Sequence, residues 1–430
     1  MARTLDRGPR GRWTVLAVGV AAQGAFAAYQ QGLPALGPAL QARFQVGLTQ
    51  TGVLFASVSA GVLVTLFAWG LLTDRTSERL VLAAGLGGAA VMLGLAAFAM
   101  GFWPLAAALV GAGMLGSCSN AATGRAVMGW FRRAERGTAL GIRQMATPLG
   151  GGIAALVLPA LAGDGDLRPA MLALAACALA AAVASAVWIR TPPPDRAEAR
   201  PAGIAAPEGS GAVPQAPTPV ERPVPTRDRR IWRLATGGAL LVAGQLSLVS
   251  YLTLFLHDRR HWSAGSAAGV LAAVQLGGAA ARVLAGRWSD RRGVRIAPMR
   301  ELALAGTFLF ALTAVLADGP AALLLPVIVV TGVVSMSSNG LAFTATGEIA
   351  GQARAGTAMG MQNTALFAAG VVAPIGFGAI AEHVGWPAGF AVLALLAAAG
   401  WRLLRPLAPA ERRGWRATPT TPQPATPPRG

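Results

Sequence analysis

Two short hydrophilic stretches decide how this chain is organised: GLLTDRTSER at residues 70–79 and GRWSDRRGVR at residues 286–295. Each begins with Gly, carries an Asp-Arg pair and ends with Arg, and the second follows the first by 216 residues. Both interrupt a chain that is 54% hydrophobic and only 13% charged. A polar motif repeated between long apolar runs indicates two related halves, each with the same loop between two helices.

Apolar runs of about 20 residues recur along the whole chain, and a helix of that length crosses the hydrocarbon core of a bilayer. Helices of a soluble protein would need polar faces, which these runs mostly lack. The first run, which follows several arginines, also fits a secretory signal peptide, but eleven further runs favour an uncleaved helix. The predicted spans are 13–36, 47–71, 79–100, 103–130, 137–161, 168–190, 232–256, 263–286, 296–316, 321–346, 356–381 and 386–404. The sequence therefore predicts an all-α integral membrane protein with twelve transmembrane helices.

The repeat extends beyond the two loops. RGTALGIRQMATPLGGG, from residue 136, matches AGTAMGMQNTALFAAGV, from residue 355, at an offset of 219, and Ser119-Asn120 returns as Ser338-Asn339 at the same offset. Both halves start on the same side of the membrane, so the repeat is parallel, about an axis along the membrane normal. The predicted organisation is one six-helix bundle in residues 1–190, a disordered Pro-rich linker in 191–231, a second bundle in 232–404 and a disordered tail in 405–430.

The distribution of arginine predicts the orientation. All 36 basic residues are Arg; with the N-terminus inside, 29 lie in cytoplasmic segments, four lie outside and three lie within spans. This asymmetry predicts a cell-membrane protein with both termini in the cytoplasm. The net charge of +18 then marks topology and contact with anionic lipid in the bilayer, and it does not indicate nucleic-acid binding.

The stretches at 70–79 and 286–295 resemble the loop signature that the major facilitator superfamily carries between helices 2 and 3 and between helices 8 and 9. Ser77, Glu78 and Trp288 depart from that pattern. The resemblance implies two six-helix bundles and transport by alternating access, and we expect a monomer without a cofactor. It also implies a gating role, with topology and helix capping as the alternative, for Gly70, Asp74, Arg75, Arg79, Gly286, Asp290, Arg291 and Arg295.

Three arginines lie within the predicted spans: Arg125 on helix 4, Arg143 on helix 5 and Arg282 on helix 8. A charged side chain at this depth is costly and tends to face a cavity, and no Asp or Glu is predicted near mid-depth to balance it. The planar guanidinium suits carboxylates and similar oxyanions. The pattern favours a small anionic substrate, with a proton as the candidate coupling ion. For Arg125 and Arg282 the alternative is that the side chain reaches back to the cytoplasm.

Polar side chains on helices 1, 4, 7 and 10 are further candidates, because these helices line the central path in the superfamily. For each of them, helix–helix packing is the alternative. The predicted substrate contacts besides the three arginines are Tyr29, Asn120, Gln245, Tyr251 and Asn339.

Two comparisons within the superfamily narrow the function. Helix 8, GGAAARVLAGRWSD, resembles carriers of organic anions, and helix 5, GIRQMATPLGGG, resembles the cyanate-permease-like branch. Nitrate porters of the superfamily carry one Arg on helix 2 and one on helix 8. Here Leu66 occupies the position in the first half that is equivalent to Arg282, which disfavours nitrate as the substrate. The alternative is proton-coupled drug efflux: Pro148, Gly151 and Gly152 match part of an exporter motif, but Thr147 replaces its leading Gly. The sequence has no nucleotide-binding, metal-binding or nucleophile motif, so it does not indicate an enzyme.

Overall fold

A computed structural model describes residues 9–131, 135–163, 166–190, 224–351 and 354–412. Within these ranges the chain is helical, without strands. The long helices are α1 (Pro9–Gly32), α2 (Leu48–Arg75), α3 (Glu78–Ala97), α4 (Phe102–Trp130), α5 (Arg136–Ala162), α6 (Arg168–Trp188), α7 (Arg229–Leu254), α8 (Ala264–Arg292), α9 (Ile296–Leu316), α10 (Ala321–Ala350), α11 (Ala355–His383) and α12 (Trp386–Leu404). Each predicted span overlaps one of these helices.

Eleven segments of the described chain are long and apolar enough to cross a membrane. Helix α1 is also long, at 24 residues, but Gln23, Gln30 and Gln31 make it more polar than the others. It packs along α5 and contacts α4 and α6 within the first bundle. The predicted all-α membrane fold is confirmed.

Two helix boundaries differ from the prediction. The first span was expected to reach Leu36, but α1 ends at Gly32 and is followed by a 3-10 turn, Leu33–Leu36, and a short helix, Gly37–Phe44. Pro34, inside that turn, lacks the N–H that a continuing helix needs. In the second half, α7 begins inside the predicted linker, because the Asp228 carboxylate accepts a hydrogen bond from the Arg230 N–H at 2.9 Å and caps the helix.

Helices α4 and α10 are each interrupted at the same place in the repeat. Helix α4 divides at Ser117 into Phe102–Gly116 and Cys118–Trp130, and α10 divides into Ala321–Met336 and Asn339–Ala350. Side chains from neighbouring helices donate hydrogen bonds to backbone carbonyls beside both breaks. At each break, backbone carbonyl groups therefore form a polar position inside an otherwise apolar bundle.

Part of the predicted disordered tail, residues 405–430, is helical. Residues Leu407–Arg412 form a short helix, α13. The Glu411 carboxylate accepts hydrogen bonds from the backbone N–H groups of Arg295 and of Ile296, the latter at 3.0 Å, and thereby caps the start of α9. Residues 413–430 and the linker residues 191–223 lie outside the described ranges.

The helices alternate in direction, so their ends gather at two faces. We call the end of the bundle that holds the loops at residues 75–78 and 292–296 the linker face. The opposite end, which holds residues 44–48 and 383–386, is the distal face. The names describe position in the fold alone.

The two halves pack closely toward the distal face. A Cβ on Gly370 of α11 would lie 2.9 Å from Ser59 Oγ of α2, and a Cβ on Gly151 of α5 would lie 2.6 Å from Gln275 Nε2 of α8. Beyond Ser59, α2 becomes exposed, and Phe67 is 78% exposed. The halves are thus closed on their distal side.

Candidate functional site

Arg143, on α5, places a buried charge inside the first half, with only 8% of the residue exposed. Its Nε donates to Thr123 Oγ1 at 2.6 Å and its Nη1 donates to Gln144 Oε1 at 3.1 Å. Its Nη2 donates to the Asn120 carbonyl at 2.8 Å and to Gln23 Oε1 at 3.1 Å. All of these acceptors are neutral. Among its described partners, no carboxylate balances the guanidinium charge.

Arg143 also fixes the orientation of two amides beside it, because a guanidinium only donates hydrogen bonds. Gln23 turns its Oε1 toward the arginine, so its Nε2 donates to Asn120 Oδ1 at 3.2 Å. Asn120 Nδ2 is then buried without a partner among the described residues. The cluster therefore presents one positive charge and, beside it, one buried amide donor, Asn120 Nδ2, and both are groups that can bind an anion.

The second half keeps the amides but not the charge. Asn339 Nδ2 donates to Gln245 Oε1 at 3.1 Å, which repeats the pairing of Asn120 with Gln23. The repeat places Gln362 where the first half has Arg143, and Gln362 Oε1 accepts a hydrogen bond from Thr346 at 3.3 Å. At this position of the repeat, therefore, only the first half carries a charge, although the fold repeats.

Arg282 of α8 lies beside the break in α10. Its Nε donates to the Met336 carbonyl at 3.0 Å, at the last residue before the break. The side chain is half-buried. No other partner of this guanidinium occurs among the described residues, so both Nη groups can donate elsewhere.

Arg143 and Arg282 lie at a similar depth on helices that face each other across the two halves. Helices α5 and α8 cross at Gly151 and Gln275. Arg143 lies eight residues from Gly151 and Arg282 seven residues from Gln275, both toward the linker face. At 1.5 Å per residue these separations are about 12 and 10 Å. The two arginines thus lie at similar distances from this crossing point, on its linker side.

The two tyrosines have different surroundings. Tyr29 is fully buried inside the first half, and its O–H donates to the Ala112 carbonyl of α4 at 3.2 Å. Tyr251 reaches across the halves, and its O–H donates to the Leu48 carbonyl at the start of α2 at 2.8 Å. Tyr29 thus packs within a bundle and Tyr251 joins the distal ends, and their role as substrate contacts stays a prediction.

Arg125 lies at the linker face instead of the centre. Its Nε forms an ion pair with Glu78 Oε1 at 2.9 Å, and its Nη1 donates to the Thr73 carbonyl. Its side chain is 37% exposed. This arginine joins the end of α4 to the loop between α2 and α3, as in the alternative in which its side chain reaches back toward the helix end, and its role as a substrate contact stays a prediction.

The loop between α8 and α9 is held by an ion cluster at the linker face. Arg295 pairs with Asp290 on one side and with Glu348 of α10 on the other, the latter at 3.2 Å. Burial alone would lower the pKa of Arg295, but these two carboxylates raise it above its ordinary value. In the first half the charges are exchanged, with the arginine on α4 (Arg125) and the carboxylate in the loop region (Glu78).

The other predicted gating residues are at the linker face without close packing. Arg75, Arg79 and Arg291 are exposed. No described atom lies within 4 Å of a Cβ built on Gly70 or Gly286. The side chain of Asp74 lies outside the described part of the structure. Their gating role stays a prediction.

Sequence reasoning missed the residues that join the halves at the distal face. Glu382 binds Thr49, and Gln275 Nε2 lies 3.5 Å from the Gln31 carbonyl. The sequence signal for Glu382 was its position near a helix end, which also suits a solvated residue. Gln362 could have been found by aligning the two halves, because it occupies the position in the second half that is equivalent to Arg143.

The family model of the Major Facilitator Superfamily matches residues 17–374. The chain belongs to the major facilitator superfamily. With the helical membrane fold it is thus a membrane transporter of small molecules, and not an enzyme.

Relatives and solved structures agree with this assignment. An uncharacterised MFS-type transporter of Mycobacterium tuberculosis (strain ATCC 25618 / H37Rv) is 33% identical over 393 residues, covering 90% of this chain and 84% of that protein. A hexuronate transporter of Bacillus subtilis (strain 168) is 29% identical over 125 residues, covering 29% of this chain and 30% of that protein.

Two solved transporters share the fold of this MFS transporter. A bacterial homologue of the human lysosomal transporter Spinster, in an inward-facing and occupied conformation, superposes with a TM-score of 0.78 at 15% identity, covering 96% of this chain and all of that one. A variant of the nucleoside transporter NupG has a TM-score of 0.69 at 13% identity, covering 92% of this chain and all of that one.

Proposed function

We propose that this MFS transporter is a secondary active carrier of a small organic anion, which binds between Arg143 and Arg282. The observation that carries the proposal is the buried Arg143 guanidinium, whose described partners are all neutral. A buried cation without a counter-charge is costly, and a bound carboxylate would relieve that cost. Arg282 supports the proposal with its Nη donors at a similar depth on the other half.

The named solute of one relative fits this chemistry. The Bacillus subtilis protein is a hexuronate transporter by its name, and a hexuronate is a sugar that carries one carboxylate. A carboxylate suits Arg143, whereas hydroxyl groups suit the neutral amides of the second half, such as Gln245 and Asn339. Carboxylates that also carry hydroxyl groups are therefore the first compounds to test.

We further propose that the linker face is cytoplasmic in the cell membrane, since 29 of the 36 arginines fall in segments on that side. The closed distal side then makes the structure an inward-facing state of a monomeric alternating-access carrier. A proton is the proposed coupling ion, because a gradient must supply the work of uphill transport.

The test is uptake of labelled anions into proteoliposomes, with and without a pH gradient. The panel contains glucuronate, short carboxylates and inorganic anions, with glucose as the uncharged comparison. Arg143→Gln removes the charge and should weaken apparent affinity about ten- to hundredfold, which corresponds to the roughly 1.5–3 kcal/mol of a hydrogen bond to a charged group. Arg143→Lys should restore only part of it, because an ammonium group is not a planar fork.

Arg125→Gln is the matched control, because it removes an arginine from a neighbouring span without touching the proposed site. We expect normal affinity in Arg125→Gln and weakened affinity in Arg282→Gln. Anion uptake with wild-type affinity in both the Arg143→Gln and Arg282→Gln proteins would refute the proposal. Proton-dependent export of a lipophilic drug would then support the efflux alternative.

A further inference from the structure

The start of α2 depends on a residue from the other half of the molecule. The first N–H groups of a helix have no partner inside that helix. Gly47, which precedes α2, has no side chain with which to cap it. Instead, Glu382 Oε2 of α11 accepts hydrogen bonds from the Thr49 N–H at 2.8 Å and from the Thr49 O–H at 2.5 Å. A carboxylate at this position also opposes the positive end of the helix dipole.

The equivalent helix of the second half caps itself. Helix α8 follows Ser263, whose Oγ accepts a hydrogen bond from the Ser266 N–H at 3.2 Å. The repeat is therefore broken at this point: α8 keeps its cap in every conformation, whereas the cap of α2 exists only while the distal ends of the two halves are together.

The residues around Glu382 favour its contact with the start of α2. A Cβ on Gly47 would lie 2.9 Å from the carboxyl carbon of Glu382, so a larger residue there would displace the carboxylate. Next to it, the Tyr251 O–H donates to the Leu48 carbonyl at 2.8 Å. Two successive residues at the start of α2, Leu48 and Thr49, are thus held by two different helices of the second half.

We propose that Glu382 is the gating residue of the distal face, and that it closes this face by capping α2 across the two halves. Opening the distal side separates the carboxylate from Thr49 and leaves the start of α2 without its cap. The contact consequently favours the closed-distal state over the open one. Loss of a helix cap changes an equilibrium by about two- to thirtyfold, and this is the population shift that we expect.

The experiment measures the distance between spin labels across each face in purified, reconstituted protein. Arg43→Cys with Arg259→Cys reports on the distal face, and Leu72→Cys with Arg287→Cys, two exposed positions outside the predicted gating residues, reports on the linker face, after both native cysteines are replaced. Glu382→Ala should increase the open-distal population about two- to thirtyfold. Glu301→Ala, which removes an exposed carboxylate at the linker face, should leave both distance distributions as in the wild type.

A rescue variant separates gating from simple stabilisation of α2. In the Glu382→Ala protein, Gly47→Ser supplies a cap within α2, and the space of the missing carboxylate admits the new side chain. We expect it to restore the thermal unfolding midpoint without reversing the population shift. Wild-type distances in Glu382→Ala together with a lowered midpoint would overturn the proposal. Thr49→Val, which keeps the backbone N–H donor, should give a smaller shift in the same direction and is decisive if Glu382→Ala fails to fold.

Discussion

Two glycines on α2 and α4 make contacts of similar closeness, but only one of these contacts lies between the halves. A Cβ on Gly52 would meet the Tyr251 hydroxyl and would lie 2.7 Å from the Pro374 carbonyl oxygen of α11. A Cβ on Gly113 of α4 would lie 2.9 Å from the Val58 carbonyl carbon, within the first half. Both substitutions with Ala introduce a methyl group against rigid backbone.

The consequences of the two substitutions differ. Overpacking costs about 1–3 kcal/mol. The Gly113 contact is present in every state, because α2 and α4 belong to the same bundle, so Gly113→Ala should destabilise the protein by that amount. The Gly52 contact exists only while the distal ends are together, so Gly52→Ala can relieve its clash by opening. The same energy then shifts the conformational equilibrium roughly 5- to 150-fold toward the open-distal state.

The assay compares thermal unfolding of the two variants in lipid nanodiscs with the labelling of Ser250→Cys, a buried position near Tyr251. Gly113→Ala should lower the unfolding midpoint and leave labelling by a membrane-impermeant maleimide unchanged. Gly52→Ala should keep the midpoint and accelerate labelling from the distal side. Equal losses of stability in both variants, without faster labelling in Gly52→Ala, would refute this reasoning.

Three shorter predictions concern topology, the loop cluster and the tail. In a cysteine-free background, Thr226→Cys and Arg260→Cys should be labelled from opposite sides of the membrane; labelling from one side would contradict the six-plus-six topology. Asp290→Asn removes a partner of Arg295 and should lower turnover while leaving substrate affinity unchanged, whereas normal turnover would return the loop to a purely topological role. Glu411→Ala removes the cap of α9 and should destabilise the protein by about 1 kcal/mol, and an unchanged unfolding midpoint would contradict this.

The fold was predictable because hydropathy and repetition act over long segments. Each of the twelve spans needs only an apolar run of sufficient length, and the loop motif with its copy fixed the relation between halves. The boundaries were harder, since α7 begins at a capping residue, Asp228, within a stretch that reads as linker. The tail helix was missed for a related reason: Glu411 acts by capping a distant helix, and no local pattern shows its partner.

The site was predictable only in part, because residue type does not give direction within a helix. Arg125 and Arg143 look alike in the sequence, but one points to Glu78 at the linker face and the other into the bundle. Tyr29 and Tyr251 are equivalent in the repeat and still have partners in different halves. These differences arise from packing between helices, which a single span does not encode.

The two arginines near the centre of the molecule have an electrical consequence. Because the described partners of Arg143 and Arg282 are neutral, the proposed site holds a net positive charge when it is empty. In the proposed alternating-access cycle the site opens first to one side and then to the other, so this charge passes through part of the membrane field. A charge that crosses the whole field gains about 2.3 kcal/mol per 100 mV. With the proposed orientation, in which the linker face meets a cytoplasm at negative potential, the voltage favours the inward-facing state of the empty carrier, and a bound monoanion reduces that bias.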